Sequence, residues 1–318
     1  MEKTRRKSGK KIVIAGAGIL DVLVSPAGPE VFATGSSPAE EICISMGGDA
    51  LNEATVLAAL GGDVMLETVL GRDVAGDMIA GHCREKGIRL RDSVFREGLA
   101  TGVNVVLVQE NGERSFLTSP YGSLRALRSE DIRGPLPEDA GIFCFASMFV
   151  SPHIGPAELA ALFCSLKEQG VTVCADMTKR KNGETAEQLA PALQYVDFLF
   201  GNEEEIRLLT GKETVEEGAE VLECAGAGQV TVKCGSRGCY VRSRDVRGRI
   251  PAEAEVNCVD TTGAGDSFVA GFLYGLSRGA APDACLRLAL WCGARAVEKV
   301  GATAWTEDPE IIRKVPEL

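Results

Sequence analysis

The stretch VDTTGAGDSF at 259–268 combines residue types that could carry out chemistry on an anion. Gly263, Ala264 and Gly265 leave the backbone N–H groups uncovered, and the apolar residues that follow repeat with the period of a helix. The N–H groups and dipole of a helix start attract phosphate. Asp266 stands beside them, where a carboxylate can accept a proton from a hydroxyl that attacks the phosphate. The stretch therefore predicts phosphoryl transfer, with plain helix capping by Asp266 as the alternative.

Composition and charge limit the classes of partner and compartment. The chain has 318 residues, 45% of them hydrophobic and 25% charged, which is the composition of a globular protein with a large core. Its net charge of −11 would repel nucleic acid and anionic membrane surfaces, so we exclude both as partners. No stretch reaches the roughly 18 apolar residues that cross a membrane, and we interpret residues 1–11 as a basic tail rather than a secretion signal. Eleven cysteines without a CxxC pair suit a reducing compartment, and we expect a cytoplasmic protein.

The second half of the chain alternates short apolar strands with amphipathic helices. The predicted strands are 142–146, 171–175, 198–200 and 230–233, and the predicted helices are 156–169, 186–193, 203–209, 215–224 and 282–298. This alternation is typical of a parallel sheet covered by helices on both faces. Two shorter strands at 239–241 and 249–250 are expected to pair in antiparallel fashion.

The first half contains similar elements in a less regular order. Strands are predicted at 11–17, 64–69, 103–108 and 114–118, and helices at about 48–60 and 75–86. Residues 22–46 alternate weakly between apolar and polar, and Asn111-Gly112 marks a hairpin turn. We therefore expect one α/β domain over residues 1–318, with a small β-sheet lid built from about residues 20–46 and 97–119.

A second glycine turn, Gly16-Ala17-Gly18, follows the first predicted strand and invites comparison with a dinucleotide-binding fingerprint. Asp21 stands where the third glycine of that fingerprint belongs, and prolines rather than a helix follow it. The sequence therefore argues against a nicotinamide-dependent oxidoreductase.

Four motifs stand in a fixed order along the chain: Gly47-Gly48 followed by Asn52, the run NEEE at 202–205, Lys233-Cys234-Gly235, and DTTGAGD at 260–266. Together they resemble the signatures of the ribokinase-like sugar kinases, the phosphofructokinase B family, over about residues 11–303. A double glycine alone is not specific, whereas DTTGAGD is. The resemblance implies a three-layer α/β/α sandwich with a mostly parallel central sheet and a small β-sheet lid that often forms a dimer interface.

The resemblance also implies roles for individual residues. Asp266 matches the base that takes the proton of the sugar hydroxyl as it attacks the γ-phosphate of ATP, and Gly263, Ala264 and Gly265 match the anion hole. The positions that match sugar contacts are Asp21, Gly48 and Asn52, to which we add Asp49 as a residue that reads a further hydroxyl. The positions that match nucleotide or magnesium contacts are Asn202, Glu205, Lys179, Lys233, Gly235 and Gly238, with Glu205 acting on Mg²⁺ through water. The positions that match a monovalent cation site, commonly for K⁺, are Asp260, Thr262, Ala296, Lys299 and Gly301.

The implied function is ATP-dependent phosphorylation of a primary hydroxyl group of a monosaccharide or sugar derivative, with Mg²⁺ essential. Ile19 stands where ribokinase has an amide that contacts ribose, so ribose is a less favoured acceptor. We expect a sugar and ATP as small-molecule partners and a homodimer formed through the lid. Two alternatives use the same motifs: a nucleoside kinase, and a catalytically silent sugar-binding regulator.

Overall fold

The computed structural model describes residues 9–110, 113–132, 136–137 and 139–317, so the predicted turn at Asn111-Gly112 lies outside the described residues. The strands are β1 Lys11–Ala15, β2 Ile19–Ser25, β3 Glu41–Gly47, β4 Val64–Glu67, β5 Leu70–Gly71, β6 Arg89–Leu90, β7 Phe95–Arg96, β8 Val103–Val108, β9 Arg114–Thr118, β10 Ala140–Met148, β11 Thr172–Met177, β12 Phe198–Asn202, β13 Gln229–Lys233, β14 Cys239–Ser243 and β15 Arg247–Ile250. The helices are α1 Glu30–Thr34, α2 Asp49–Ala59, α3 Val74–Lys86, α4 Ser129–Ile132, α5 Pro156–Glu168, α6 Ala186–Leu193, α7 Glu203–Thr210, α8 Val215–Cys224, α9 Ala264–Ser277, α10 Pro282–Ala296 and α11 Pro309–Ile312. Within the described ranges, no helix is long and apolar enough to span a membrane.

The largest sheet contains nine strands in the order β15-β14-β13-β12-β11-β10-β1-β4-β6. The strands from β13 to β6 pair in parallel, and β14 and β15 add two antiparallel strands at one edge. Because the strands from β10 to β13 are parallel neighbours, their carboxyl ends lie side by side, which is where sites form in open α/β sheets.

Helices cover both faces of this sheet, and the side chains of β1 alternate between the two cores. Ile12 and Ile14 pack into the core shared with α2, α9 and α10, whereas Val13 and Ala15 join the core shared with α5, α6 and α8. All four residues are fully buried. Since successive residues of a strand face opposite sides, a continuous apolar run is what a strand covered on both faces requires. The chain thus forms the three-layer α/β/α sandwich that its motifs implied.

A separate four-stranded sheet has the order β3-β2-β8-β9 and comes from the two segments expected to form the lid. β2 pairs antiparallel with β3 and parallel with β8, and β8 pairs antiparallel with β9. The register places Asp21 and Asn104 on one face and Val22, Ile44 and Leu117 on the other. We call these the Asp21 face and the Ile44 face.

Asp176 lies inside β11, one residue beyond the end of the strand predicted at 171–175. Its backbone is in register with Phe200 of β12, and the residue is 3% exposed. A buried carboxylate needs a partner, and Lys233 supplies one. The strand therefore continues past residue 175, where the run of apolar residues ends, and includes the polar Asp176.

Candidate active site

Helix α9 begins in a glycine turn whose geometry leaves no room for a side chain. Gly263 precedes the helix with a φ of 71°, and a Cβ atom there would lie 2.4 Å from the carbonyl oxygen of Ala302. Among the described residues, no side chain caps the N–H groups of the first turn, whereas side chains do cap α3, α6, α7 and α8. The start of α9 therefore offers backbone donors and the positive end of the helix dipole to an anion.

Asp266 lies in the first turn of α9 and meets the first turn of α2. Asn52 Nδ2 donates a hydrogen bond of 2.8 Å to Asp266 Oδ2. Asp266 is partly exposed as a residue, but its carboxyl group is largely desolvated by the surrounding protein. This desolvation, and then the negative charge of Asp49, raise the pKa of Asp266 well above the usual value. The bond from Asn52 opposes the shift because it stabilises the ionised form. A raised pKa makes the carboxylate a stronger base, which suits a group that takes a proton from a hydroxyl.

Lys233 and Asp176 form a buried ion pair at the carboxyl ends of β13 and β11. Lys233 Nζ lies 2.8 Å from Oδ1 and 3.0 Å from Oδ2 of Asp176, and the side chains are 15% and 5% exposed. Burial alone would lower the pKa of Lys233, but the carboxylates of Asp176 and Glu205 outweigh it and the pKa is raised, so the lysine is charged at neutral pH. The ammonium group also borders α9, because a Cβ atom on Gly265 would lie 3.3 Å from Nζ.

Asn202 and Glu205 cap helix α7 by binding each other's backbone. The N–H of Asn202 donates to Glu205 Oε2 at 2.7 Å, and the N–H of Glu205 donates to Asn202 Oδ1 at 2.9 Å. Burial raises the pKa of Glu205 to about 7, in spite of the opposing charge of Lys233. Within the described chain, no group of three or more His, Cys, Asp or Glu side chains is arranged to hold a metal ion by itself. Capping thus occupies Oε2 of Glu205, and contact of Glu205 with Mg²⁺ stays a prediction.

Asp21 is held on the small sheet by its neighbours in space. Asn104 Nδ2 donates a hydrogen bond of 3.1 Å to Asp21 Oδ1. A Cβ atom on Gly47 would lie 2.1 Å from Asp21 Oδ2, so the glycine leaves the space that the carboxylate occupies. Burial raises the pKa of Asp21, while the bond from Asn104 lowers it.

Asp49 begins α2 directly after Gly48, which has a φ of 90°. A Cβ atom at position 48 would lie 2.4 Å from a backbone carbonyl oxygen, so packing alone requires this glycine. The hydroxyl of Ser147 donates to Asp49 Oδ2, and Ser147 itself has a φ of 58°, which is uncommon for a residue with a side chain. The charge of Asp49 raises the pKa of both Asp21 and Asp266. Asp49 therefore shares its electrostatic environment with both Asp21 and Asp266.

The predicted nucleotide contacts lie at the same edge of the sheet, around the ends of β13 and α7. Gly235 and Gly238 have φ values of 58° and 85° in the turn after β13, and a Cβ atom on Gly238 would lie 1.9 Å from a carbonyl oxygen of β15. Lys179 pairs with Glu204 at 2.8 Å, where the two side chains are 54% and 46% exposed. The backbone conformation explains why glycine stands at positions 235 and 238, and Lys179 forms an ion pair on the surface. Contact of any of these three residues with ATP stays a prediction.

Asp260 draws together the loops predicted to hold a monovalent cation. Its Oδ1 accepts bonds from the N–H (3.0 Å) and the hydroxyl (2.7 Å) of Thr262, and its Oδ2 accepts one from the N–H of Gly301 (2.9 Å). Ala296 ends α10, and the side chain of Lys299 pairs with Asp308 at 3.4 Å. The hydrogen-bonded loop pair is present, and the cation itself stays a prediction.

Two side chains that position acidic residues of the site belong to none of the sequence motifs. Asn104 holds Asp21, and Ser147 holds Asp49. Asn104 interrupts an otherwise apolar strand, which is a signal that sequence reasoning can use. Ser147 belongs to a buried run and gave no such signal.

Glu53 is a third polar residue that no motif marked. It follows Asn52 on α2 and is 0% exposed, and neither of its carboxyl oxygens has a hydrogen-bond partner among the described residues. Burial, and then the charges of Asp176 and Asp266, raise its pKa well above the usual value. Such surroundings favour the neutral, protonated form of a carboxyl group.

A three-layer sandwich with a small separate sheet is the architecture of the ribokinase fold, which this chain shares with solved ribokinase structures. The sequence pattern described as pfkB family carbohydrate kinase matches residues 12–309. The chain therefore belongs to the pfkB family of carbohydrate kinases, and it is an enzyme of the ATP-dependent sugar kinase class.

Individual relatives match over nearly the whole chain. The probable fructokinase-4 of Arabidopsis thaliana is 28% identical over 318 residues, covering 93% of this chain and 94% of the relative. The cytidine kinase of Thermococcus kodakarensis is 28% identical over 293 residues, covering 91% and 97%. The solved structure of Arabidopsis thaliana ribokinase complexed with ribose and ATP has a TM-score of 0.76 at 25% identity, covering 96% and 98%. The predicted fold and enzyme class are confirmed.

Proposed function

We propose that the protein transfers the γ-phosphoryl group of ATP to a primary hydroxyl group of a monosaccharide or sugar derivative. The observation that carries this proposal is the position of Asp266, whose carboxylate is held by Asn52 beside the uncapped start of α9. A hydroxyl group placed against Asp266 can lose its proton as its oxygen attacks phosphorus. The backbone donors of Gly263, Ala264 and Gly265 would stabilise the charge on the phosphoryl oxygens.

The acceptor side is lined by carboxylates. Asp21 and Asp49 each have an oxygen fixed by a neighbour, and carboxylates accept hydrogen bonds from hydroxyl groups. A sugar with several free hydroxyl groups satisfies both, whereas an acidic acceptor is repelled. Relatives named fructokinase and a structural neighbour that holds ribose support a sugar as the acceptor.

Magnesium and ATP fit the residues at the ends of β12 and β13. Mg²⁺ prefers oxygen ligands and keeps several of its waters, and Asn202 and Glu205 present oxygens of that kind without a closed metal cage. Gly235 and Gly238 would border the nucleotide. ATP, when bound, supplies the phosphoryl group, and this chain supplies the proton acceptor and the anion-binding backbone.

A monovalent cation near Asp260 would steady the turn before α9. Carboxylate and carbonyl oxygens suit an ion such as K⁺, and Asp260 already joins the segments that contain Thr262 and Gly301. We propose K⁺ as an activator of the reaction.

Phosphorylation of a nucleoside is the second candidate function. A cytidine kinase that matches 91% of this chain favours it, because the same catalytic motifs serve either acceptor. A nucleoside is larger than a monosaccharide because it carries a nucleobase, but the hydroxyl group that reacts is the same.

A panel of acceptors with a coupled assay for ADP tests the proposal. We expect ADP release with a furanose or hexose, no release with sugar acids, and loss of activity on chelation of Mg²⁺. Parallel assays in K⁺ and Na⁺ salts should show higher turnover in K⁺. Activity with nucleosides alone would favour the second candidate, and a ligand-induced rise in melting temperature without any ADP release would show a silent sugar-binding protein.

The Ile44 face of the small sheet favours a homodimer. Ile42, Ile44 and Leu117 on this face are 69%, 57% and 59% exposed. Val24 and Leu107 on the same face line a groove of about 430 Å³. Exposed apolar patches and open strand edges are both protected by pairing with another copy. We propose that two copies pack these faces together, leaving each Asp21 face turned to its own site.

Ile44→Glu is expected to convert this dimer into monomers, because it places a charge in an apolar interface. Light scattering after size-exclusion chromatography should give the mass of two chains for the wild type and of one for the variant. Val74→Glu is the matched control, since Val74 is 77% exposed on α3 and is not a residue of the small sheet. A monomeric wild type at tens of micromolar, or a dimeric Ile44→Glu, would contradict the proposed interface.

All eleven cysteines are free thiols, and seven of them are buried. Unpaired thiols in this number suit a reducing compartment, so we propose the cytoplasm as the location. Fractionation of cells that express the protein tests this directly.

A further inference from the structure

Lys233 brings a positive charge to the start of α9, directly beside Gly265. A Cβ atom on Gly265 would lie 3.3 Å from Lys233 Nζ, in closer contact than side-chain atoms normally make. The ammonium group and the first-turn backbone therefore border one common space. That space is where an anion attracted by the helix start would lie.

The ammonium group has bonding capacity left for such an anion. A lysine ammonium has three N–H donors. Within the described residues, the hydrogen bonds of Lys233 Nζ go to the two oxygens of Asp176, at 2.8 and 3.0 Å. One donor therefore remains while Asp176 fixes the position of the group.

Lys233 is the positive charge that offsets the carboxylates near the start of α9, which neutral backbone N–H groups do not do. Asp176 lies 2.8 Å from Lys233 Nζ, and the charges of Glu205 and Asp266 also act on the lysine, raising its pKa. Such a group of carboxylates would repel the phosphates of ATP. Two other cationic side chains at this edge of the sheet form ion pairs on the surface. Lys179 pairs with Glu204 and is 54% exposed. Arg237 likewise pairs with Glu203 on the surface and is 63% exposed.

We propose that Lys233 is a catalytic residue that contacts the transferring phosphoryl group at the start of α9, held there by Asp176. This inference rests on the proposed kinase function. In the reaction, the bond between the acceptor oxygen and phosphorus forms, the bond from phosphorus to the oxygen of the departing ADP breaks, and the hydroxyl proton goes to Asp266. Lys233 neither gains nor loses a proton. It stabilises the negative charge on the phosphoryl oxygens.

A purely structural role is the competing explanation. The ion pair joins the ends of β11 and β13, so its loss could loosen the sheet edge instead of the transition state. The two roles differ in what Asp176 contributes. If Lys233 acts on the phosphoryl group, then removing its carboxylate partner leaves the charge in place, whereas a structural pair is broken equally from either side.

The test compares Lys233→Met with Asp176→Asn on an acceptor that the panel has identified. We expect Lys233→Met to lower kcat about 100-fold or more, with the affinity for MgADP, measured by calorimetry, changed less than about threefold. Asp176→Asn should lose less than about tenfold, because the ammonium group stays. Lys167→Met is the control, since Lys167 pairs with Asp197 on the surface of α5, at the opposite end of the strands.

Several outcomes would overturn the proposal. Turnover of Lys233→Met within threefold of the wild type shows that the lysine does not act on the reaction. Equal losses in Lys233→Met and Asp176→Asn, together with lower melting temperatures in both, show a structural pair. Should Lys233→Met fail to fold, the polar but uncharged Lys233→Gln decides: a loss confined to kcat supports contact with the phosphoryl group, and unchanged kcat overturns it. Wild-type protein that releases no ADP with any acceptor refutes the kinase function instead.

Discussion

Asp266→Asn is expected to lower kcat about 1,000-fold while the affinity for MgADP stays close to that of the wild type. Asparagine has the same shape, and its amide oxygen can still accept the bond from Asn52, but it cannot take up the proton of an attacking hydroxyl. Single-turnover and steady-state ADP release measure the loss, and calorimetry measures the nucleotide affinity. Near-normal turnover by this variant would refute the role of Asp266 as the base.

Asp283→Asn is the matched control for this experiment. Asp283 lies in the first turn of α10, as Asp266 does in α9, so it tests what a helix-start carboxylate contributes by position alone. A carboxylate at a helix start stabilises the protein by at most about 1 kcal/mol through the helix dipole. If helix capping were the only role of Asp266, the two variants would both keep their turnover.

The dependence of the rate on pH should reveal the same group. Asp266 acts as a base only when ionised, so kcat/KM falls as the pH drops through its pKa. Since withdrawal from water and the charge of Asp49 raise that pKa, the acid limb of the wild-type profile should lie above the range of an ordinary aspartate. The residual activity of Asp266→Asn should show no such limb.

The local parts of this site could be predicted because each depends on a short stretch of chain. The period of apolar residues indicates the strands and helices, and the glycine turn with Asp266 is by itself enough to indicate an anion site. The capping exchange between Asn202 and Glu205 is likewise local, since the two residues are three apart.

The parts that escaped prediction depend on contacts between distant segments. Asn104 and Asp21 are 83 residues apart, and Lys233 and Asp176 are 57 apart. Their pairing follows from the register of neighbouring strands, which the apolar pattern does not define residue by residue. The predicted strand 171–175 ended before Asp176 for the same reason: a buried carboxylate continues a strand only because a distant lysine compensates its charge.

Glu53→Gln is expected to stabilise the fold, by an amount that grows as the pH rises. Glu53 is fully buried, and its carboxyl oxygens have no hydrogen-bond partner in the described part of the chain. Burial, and then the charges of Asp176 and Asp266, raise its pKa well above 4.5, and the charge of Lys233 opposes this shift. The folded protein therefore keeps a proton on this carboxyl group at pH values where the unfolded chain has lost it.

The sign of the effect follows from proton binding. Above pH 4.5 the folded state holds more protons at this site than the unfolded state, so the free energy of unfolding falls as the pH rises, by up to about 1.4 kcal/mol per unit, until the pH passes the folded-state pKa. Glutamine has nearly the same shape and does not titrate. Calorimetry should show the melting temperature of Glu53→Gln exceeding that of the wild type by about 5 °C at pH 8 and approaching it near pH 5.

Glu85→Gln on the exposed side of α3 serves as the control and should shift the melting temperature equally at both pH values. If Glu53→Gln melts below the wild type at every pH, with the same slope, the carboxyl group is not the destabilising element.

If Glu53→Gln is more stable than the wild type, a glutamate at this position must serve something other than stability. Glu53 follows Asn52, the residue that holds Asp266, and natural proteins keep destabilising groups where activity needs them. We therefore expect the more stable Glu53→Gln to turn over more slowly than the wild type, and equal turnover would limit the role of Glu53 to stability.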